Sequence, residues 1–363
     1  MNWCGEEGTA AERRMHVHGK HEIKKILFIR RDNIGDLICT TPAISSARKA
    51  FPRARIGILV NTYNADAVMN NPDIDETYVY EKAKHSPDKN RFLVWWRNFG
   101  VLRKIRAERY DVAIGCGSYS PRLARYTFAT GADMRIGYVE SGTDRKAYNF
   151  PLVEEKGNLH EVERTFRLLA PLGIEGLPPL LKIFPLPEEV RKVRESLDES
   201  GVRKGSPTVA LHISSRRPEN RWPESSFIEL ARLIVDRRLS NLLLLWSPGT
   251  EANVRHSGDD EKAQRIMRGM EAWISPYRTV QLRELVAALS TCDIVVCGDG
   301  GAMHIAAALG KPVVTVWGST RQDRWRPWGV NHIVLQDPGG KAESIDATRV
   351  FYAIEKLLSE MLV

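Results

Sequence analysis

The chain has 363 residues, 43% hydrophobic and 27% charged, with a formal net charge of +8. At roughly 100–200 residues per domain this is a two-domain globular length, and the balance excludes a disordered or fibrous chain. No apolar run approaches the ~20 residues of a membrane-spanning helix.

Residues 1–22 are polar and lack a hydrophobic signal core, so they read as a disordered extension and the chain as cytoplasmic. Five cysteines, at 4, 39, 116, 292 and 297, form no CxxC pair and no zinc spacing, which fits reduced thiols. The basic excess is uneven. Residues 1–185 hold 29 Lys/Arg against 22 Asp/Glu, whereas residues 186–363 hold 24 against 23. Residues 82–110 alone carry nine basic and two acidic side chains. A local basic field implies an acidic partner for the first half.

Short apolar runs alternate with amphipathic stretches, the βαβα pattern of parallel sheets. In the first half the reading is strand Ile26–Ile29, helix Leu37–Phe51, strand Ile56–Val60, edge strand Tyr78–Tyr80 and helix Arg91–Glu108. Strand Asp111–Cys116, helix Arg122–Ala129, strand Arg135–Tyr138 and helix His160–Leu172 follow. The segment Gly176–Pro187 has four prolines in twelve residues and reads as the linker. The second half has strands Thr208–Ile213, Leu242–Trp246, Ile294–Cys297 and Val313–Trp317, and helices Ser225–Arg238, Leu282–Leu289, Met303–Leu309 and Ile345–Leu362. The expected domains are 23–185 and 186–344, with a terminal helix over 345–363. Two doubly wound α/β domains of this kind bind ligands at the carboxyl ends of their strands, here expected to face a central cleft.

Several clusters fall at such ends. Arg30–Asp36 (RRDNIGD) follows the first strand. Gly35 permits close approach, and Asp36 is either a helix cap or a reactive carboxylate. Cys297–His304 (CGDGGAMH) follows a later strand and opens a helix whose free N–H groups suit a diphosphate. There Asp299 either caps the helix or contacts ligand, and His304 is either structural or a ligand contact. Ser214, Ser215, Arg216, Arg217 and Arg221 follow strand Thr208–Ile213, where hydroxyls and guanidinium forks suit phosphate oxygens. Glu251 follows Leu242–Trp246 and is either exposed or an acceptor for a ribose diol. The helix at 91–109 mixes Phe92, Trp95, Trp96 and Phe99 with arginines, so its aromatics are either core or a membrane-surface face. Asp73-Ile74-Asp75 has metal–diphosphate spacing but lies in a turn of the half without phosphate loops. Metal-hydrolase, serine-hydrolase and P-loop motifs are absent, as are GxGxxG and the RRM, KH and helix-turn-helix patterns. A nicotinamide oxidoreductase and a nucleic-acid-binding protein are thereby the weaker alternatives.

Five stretches, KKILFIRRDNIGDLICTTPAI, RYDVAIGCG, HEVERT, NRWPESSF and CGDGGAMHIAAALGKPVVTVWGST, make the chain resemble glycosyltransferase family nine, the ADP-heptose:lipopolysaccharide heptosyltransferases. The resemblance implies a GT-B fold of two Rossmann-like domains, with acceptor bound by the first and nucleotide sugar by the second. It also implies no metal or other cofactor. Asp36 matches the family's catalytic base. Asp299, Gly300, Gly301 and His304 match its donor loop, and Glu251 its ribose contact; the N–H groups of Ala302 and Met303 at the same helix start are expected to face the donor as well.

On the acceptor side the expectation is Asn33 and Gly35 with the basic Arg97, Arg103, Arg106, Arg122 and Arg125. The expected partners are a nucleotide sugar, a lipopolysaccharide core or other phosphorylated glycan, and the anionic surface of the inner membrane, with no nucleic acid. Another nucleotide sugar, or a protein or other glycan acceptor, is the alternative within the same chemistry. The chain departs from the family in two places. Asn220 stands where relatives carry Lys two residues before the Trp, leaving the arginines to supply charge. The stretch His256–Glu261 (HSGDDE) has no counterpart, marking a divergent member.

Overall fold

A computed structural model describes residues 22–82, 91–140, 146–154, 157–200, 202–203, 205–250 and 258–361. It divides into two compact units. The first runs through Ala65 and from Pro72 to Pro179; the second takes Asp66–Asn71 and the chain from Leu180 onward.

In unit one the elements are β1 (Lys25–Ile29), α1 (Ile34–Ile38), α2 (Thr41–Ala50), β2 (Arg55–Asn61), β3 (Glu76–Tyr80), α3 (Arg91–Ala107), β4 (Val112–Gly115), α4 (Pro121–Ala129), β5 (Met134–Val139), β6 (Phe150–Val153) and α5 (Glu161–Arg167). Unit two contains α6 (Pro187–Glu199), β7 (Thr208–His212), α7 (Glu224–Asp236), β8 (Asn241–Trp246), α8 (Asp260–Met267), β9 (Ile274–Arg278), α9 (Leu282–Ser290), β10 (Ile294–Gly298), α10 (Gly301–Ala308), β11 (Val313–Trp317), α11 (Gln322–Trp325), β12 (His332–Gln336) and α12 (Ala347–Met361).

Each unit holds one six-stranded sheet with every pairing parallel. The orders are β3-β2-β1-β4-β5-β6 and β12-β11-β10-β7-β8-β9. Renumbered within its own unit the second sheet has the order of the first, so both are Rossmann-like, with switch points between β1 and β4 and between β7 and β10. The central strands are apolar throughout because a parallel sheet is covered on both faces; Ile26, Leu27, Phe28 and Ile29 are fully buried, as are Val209, Ala210 and Leu211. The same device fixes both central pairs. Asp111, just before β4, accepts from the Lys24 and Lys25 N–H groups, each at 2.7 Å, and Asp293, just before β10, accepts from the Thr208 N–H at 2.7 Å.

The structure differs from the sequence reading in helices α6, α8 and α11, which that reading does not contain, and in the following features. The helix expected over Leu37–Phe51 is two helices, α1 and α2, because Pro42 has no N–H for an interior helical bond and instead occupies the first turn of α2. Strands β6, β9 and β12 were not expected. All three are edge strands, and β6 and β9 each contain a proline, which only an edge tolerates. The expected helix His160–Leu172 is α5, capped by His160, followed by a separate 3₁₀ turn at Ala170–Leu172.

On α3, the residues turned inward are Val94 and Ile105, the latter in the core with Leu27, Ile29 and Tyr110. Asn98 of this helix brackets the end of β3, accepting from the Glu81 N–H at 2.8 Å and donating to its carbonyl at 2.9 Å. With that face fixed inward, the aromatics point out. Trp95 is 57% and Trp96 51% exposed, and Phe92, Leu93 and Phe99 are exposed with them, so the core alternative for these side chains does not hold. No helix among the described residues is long and apolar enough to cross a membrane.

Candidate active site

At the switch point of unit one, the chain leaves β1 through Arg30 and enters α1 at Asn33. Arg30 is buried, and its guanidinium meets three carboxylates: Asp36 Oδ1 at 2.7 Å, Glu161 Oε1 at 2.8 Å and Asp32 Oδ2 at 3.4 Å. The other Asp36 oxygen accepts from the Asn33 N–H at 3.1 Å and the Asn33 side-chain amide at 3.0 Å. Asp36 is therefore a cap of α1 and a fixed carboxylate together. Burial pushes its carboxyl up, but the Arg30 guanidinium and the Asn33 bonds outweigh burial and hold it below the ordinary carboxylate range.

Glu161 was not singled out in the sequence, nor was Arg164. Glu161 Oε2 accepts from Arg164 at 3.0 Å, and Arg164 also reaches Ser118 at 3.1 Å and pairs with Glu154. The HEVERT stretch thus supplies an acid and a base three residues apart on one helical face, and the capping box of His160 and Glu163 sets where that face starts. Gly117, with φ of +129°, passes beside this cluster; a Cβ there would stand 3.2 Å from Asp32 Oδ2.

The other expected acceptor residues are spread out. Arg122 and Arg125 lie exposed on α4, and Arg103 is exposed on α3. Arg97 is exposed but pairs with Glu81 at 3.5 Å, and Arg106 lies against Gly131 and donates to the Ala129 carbonyl at 3.4 Å, a structural use at the end of α4. Neither carboxylate of Asp73-Ile74-Asp75 is free. Asp73 accepts from Ser45 at 2.9 Å, while Asp75 pairs with Arg48 and accepts from the Ile56 N–H at 2.7 Å.

In unit two, β10 leads through Asp299 and Gly300 into α10. No side chain caps this helix, and the space where a Gly300 Cβ would stand is open. The N–H groups of Gly301, Ala302 and Met303 are those a helix start leaves unpaired. The Ala302 and Met303 side chains are buried, so these two residues can offer only backbone. His304 is buried too, its ring edge-on to Trp325 at 6.1 Å between centroids.

Asp299 does not cap α10. It accepts from the Asn220 amide at 3.1 Å, while the Asn220 carbonyl oxygen accepts from the Gly318 N–H at 3.2 Å. Asn220 is buried and clips the ends of β10 and β11 to the 218–220 turn. Gly318 is required there, since a Cβ would lie 2.4 Å from Asn220 Oδ1 and from the Glu219 carbonyl oxygen. Burial raises the Asp299 carboxyl above its ordinary value despite the nearby Arg217 charge.

Ser214 Oγ accepts from the Ser247 N–H at 2.8 Å, and Ser215 donates to the Arg217 carbonyl at 3.3 Å. Arg221 donates to the Ser215 carbonyl at 3.0 Å, and Arg216 and Arg217 are exposed. Glu251 lies outside the described residues. Asp260, from the HSGDDE stretch, ties the start of α8 to the end of β8 by accepting from Trp246 Nε1 at 2.7 Å and the Gly249 N–H at 2.9 Å.

Two Rossmann-like units, each with its polar loops at the switch point, constitute the GT-B architecture of glycosyltransferases. A family 9 glycosyltransferase from Veillonella parvula has this fold at a TM-score of 0.79, with 23% identity over 93% of this chain and 97% of that one. Escherichia coli ADP-heptose heptosyltransferase II has it at 0.73, with 20% identity over 93% and 100%. The sequence model of glycosyltransferase family 9 (heptosyltransferase) matches residues 99–353, and the chain belongs to that family. Among curated relatives, lipopolysaccharide heptosyltransferase 3 of Escherichia coli is 26% identical over 82% of this chain and 85% of its own length. Lipopolysaccharide heptosyltransferase 1 of an Escherichia coli O18:K1:H7 strain is 24% identical over 92% and 97%.

Proposed function

We propose that this glycosyltransferase moves a heptose from ADP-heptose to a lipopolysaccharide-core acceptor, with inversion and without a metal, at the cytoplasmic face of the inner membrane. The observation that carries the reading is Asp36, an ionised carboxylate held on both oxygens at the switch point of the basic unit. It takes the proton of the acceptor hydroxyl as that oxygen forms the new bond to the anomeric carbon and the diphosphate departs. A carboxylate this weakly basic accepts the proton late, when the attacking oxygen has already lost most of its electron pair to the new bond. In unit two the α10 start and the arginines after β7 stabilise the leaving diphosphate, the electrostatic work a metal does elsewhere. Asp299 and His304 shape the same loop. The names of the curated relatives support the heptose and the acceptor, and a heptosyltransferase solved with ADP supports the nucleotide. The exposed aromatics of α3, amid basic residues, support the membrane surface.

The test is transfer itself. Purified chain with ADP-heptose and a heptose-deficient core lipid should give one added heptose by mass spectrometry, undiminished by EDTA. ADP should raise the melting temperature more than UDP, GDP or CMP. Asp36→Asn should cut turnover by about 10²–10⁴ while ADP affinity stays unchanged. Transfer from a UDP-sugar instead would overturn the donor assignment, and full turnover in Asp36→Asn would return Asp36 to a cap.

A further inference from the structure

Arg30 and Arg31 are adjacent, yet their surroundings are opposite. Arg30 is buried among three carboxylates. Arg31 has no carboxylate within ion-pair distance among the described residues. Its guanidinium carbon stands 4.1 Å from the Tyr126 ring centroid and 4.9 Å from that of Tyr80, and the two rings are 5.6 Å apart. Its Nε is buried without a hydrogen-bond partner.

The backbone beneath is equally fixed. The Arg31 carbonyl accepts from Asn61 at 3.0 Å and from the Tyr80 hydroxyl at 3.3 Å, and the Asp32 carbonyl accepts from Asn61 at 3.1 Å and Lys82 at 3.2 Å. Asn61 is fully buried. Stacking against two rings removes water from a guanidinium and freezes its torsions, and here it leaves the buried Nε–H without a partner. A planar fork of donors held still at the carboxyl end of β1, in the crevice of the switch point, matches the geometry of an oxyanion.

We propose that Arg31, clamped by Tyr80 and Tyr126, binds an anionic group of the acceptor, a phosphate monoester or a sugar carboxylate. This rests on the reading of unit one as the acceptor side. The binding cost is low because the cation is already ordered and partly desolvated. The same position gives specificity: an acceptor lacking the anion leaves a buried donor unmet.

The experiment compares wild type with Arg31→Met, which keeps bulk against the two rings, and Arg31→Lys, which keeps charge without the fork. With the phosphorylated core acceptor, Arg31→Met should raise the acceptor KM about 10- to 100-fold and Arg31→Lys somewhat less, with kcat and ADP affinity within about twofold. The penalty should vanish on phosphatase-treated acceptor if the group is phosphate, or on carboxyl-esterified acceptor if it is carboxylate. A second readout needs no transfer. The Arg31 Nε–H resonance of ¹⁵N-labelled protein, assigned by its loss in Arg31→Met, should shift on titration with inorganic phosphate. If no transfer occurs with any acceptor, the proposed reaction fails while that titration still decides the anion site. An unmoved resonance, or an unchanged acceptor KM in a folded Arg31→Met, would overturn the proposal and leave a structural stack.

Discussion

Glu161 Oε1 accepts from Arg30 at 2.8 Å in a pair that is 1% exposed on both sides, and the same guanidinium nitrogen reaches Asp36 Oδ1 at 2.7 Å. One cation thus divides its field between two carboxylates contributed by segments more than 120 residues apart. Glu161→Gln removes a charge that repels the Asp36 anion and that offsets Arg30. Asp36 should then hold its proton less tightly. The acid limb of the kcat/KM profile should move to lower pH, and stability should fall by about 3 kcal/mol, typical of breaking a buried pair. A pH–rate series beside thermal melts checks both. Lost stability with an unmoved acid limb would reduce Glu161 to a structural partner of Arg30.

Asn220 carries the second prediction. Asn220→Ala leaves the Gly318 N–H and the Asp299 carboxylate without their bonds, at a cost of about 1–3 kcal/mol. Asp299 should then swing from its place beside the α10 start, so ADP affinity should drop several-fold, measured by calorimetry. Asn220→Asp should be worse, because it faces Asp299 with a like charge and offers Gly318 the same acceptor. Unchanged ADP affinity in a destabilised Asn220→Ala would separate the clip from the donor loop.

Much of this was legible from the sequence, for identifiable reasons. The strand cores at Ile26–Ile29 and Thr208–His212 are buried on both faces, so their apolar runs stand out without any alternation. Edge strands β6, β9 and β12 have no such run, and Pro151 and Pro276 disguise two of them. Asp36 and Asp299 stood out because each follows a strand and sits beside glycine. Arg30 and Asn220 are visible only as loop residues and Glu161 not at all, because their partners are distant in the chain: Glu161 meets Arg30 131 residues away, and Asn220 meets Asp299 79 residues away. Local spacing cannot register such a pair; only the sheet order brings its members together.

His212 ends β7 in a buried position beside the Lys262 ammonium, which donates to the Ile213 carbonyl at 3.1 Å. Burial, reinforced by that charge, lowers the imidazole from 6.5 to about 4. The folded state therefore resists protonation that the unfolded state accepts. The sign follows: stability is full above pH 6.5, declines as pH falls toward 4, and levels off below, with a loss on the order of 3 kcal/mol. Melts of wild type and His212→Gln between pH 7.5 and 4 check this. The variant should lose less stability across the window, and equal losses would place the acid sensitivity elsewhere.

The outward face of α3 yields the last prediction. Phe92, Trp95, Trp96 and Phe99 contact one another edge-on or stacked, with centroids 5.4–6.4 Å apart, yet each is about half exposed or more. Such a cluster is apolar surface that water does not favour, and indole and phenyl rings partition to the headgroup boundary. The surrounding segment 82–110 carries nine basic side chains against two acidic. Not all of that charge is free. Lys104 pairs with Glu76 at 2.8 Å and Arg97 with Glu81 at 3.5 Å, so Arg103 is the better reversal target than Arg97 or Arg106. Each basic residue near an anionic leaflet contributes about 1 kcal/mol, weakened by salt. Trp95→Ser with Trp96→Ser should lower binding to vesicles rich in anionic lipid about tenfold or more. Arg103→Glu should lower it less and steepen nothing in salt. Because these side chains lie outside the core, the melting temperature should hold or rise, and ADP affinity should not change. Flotation at low salt decides it: wild-type protein that stays off anionic vesicles, or a double tryptophan variant that binds them as well, would leave this face without a membrane role.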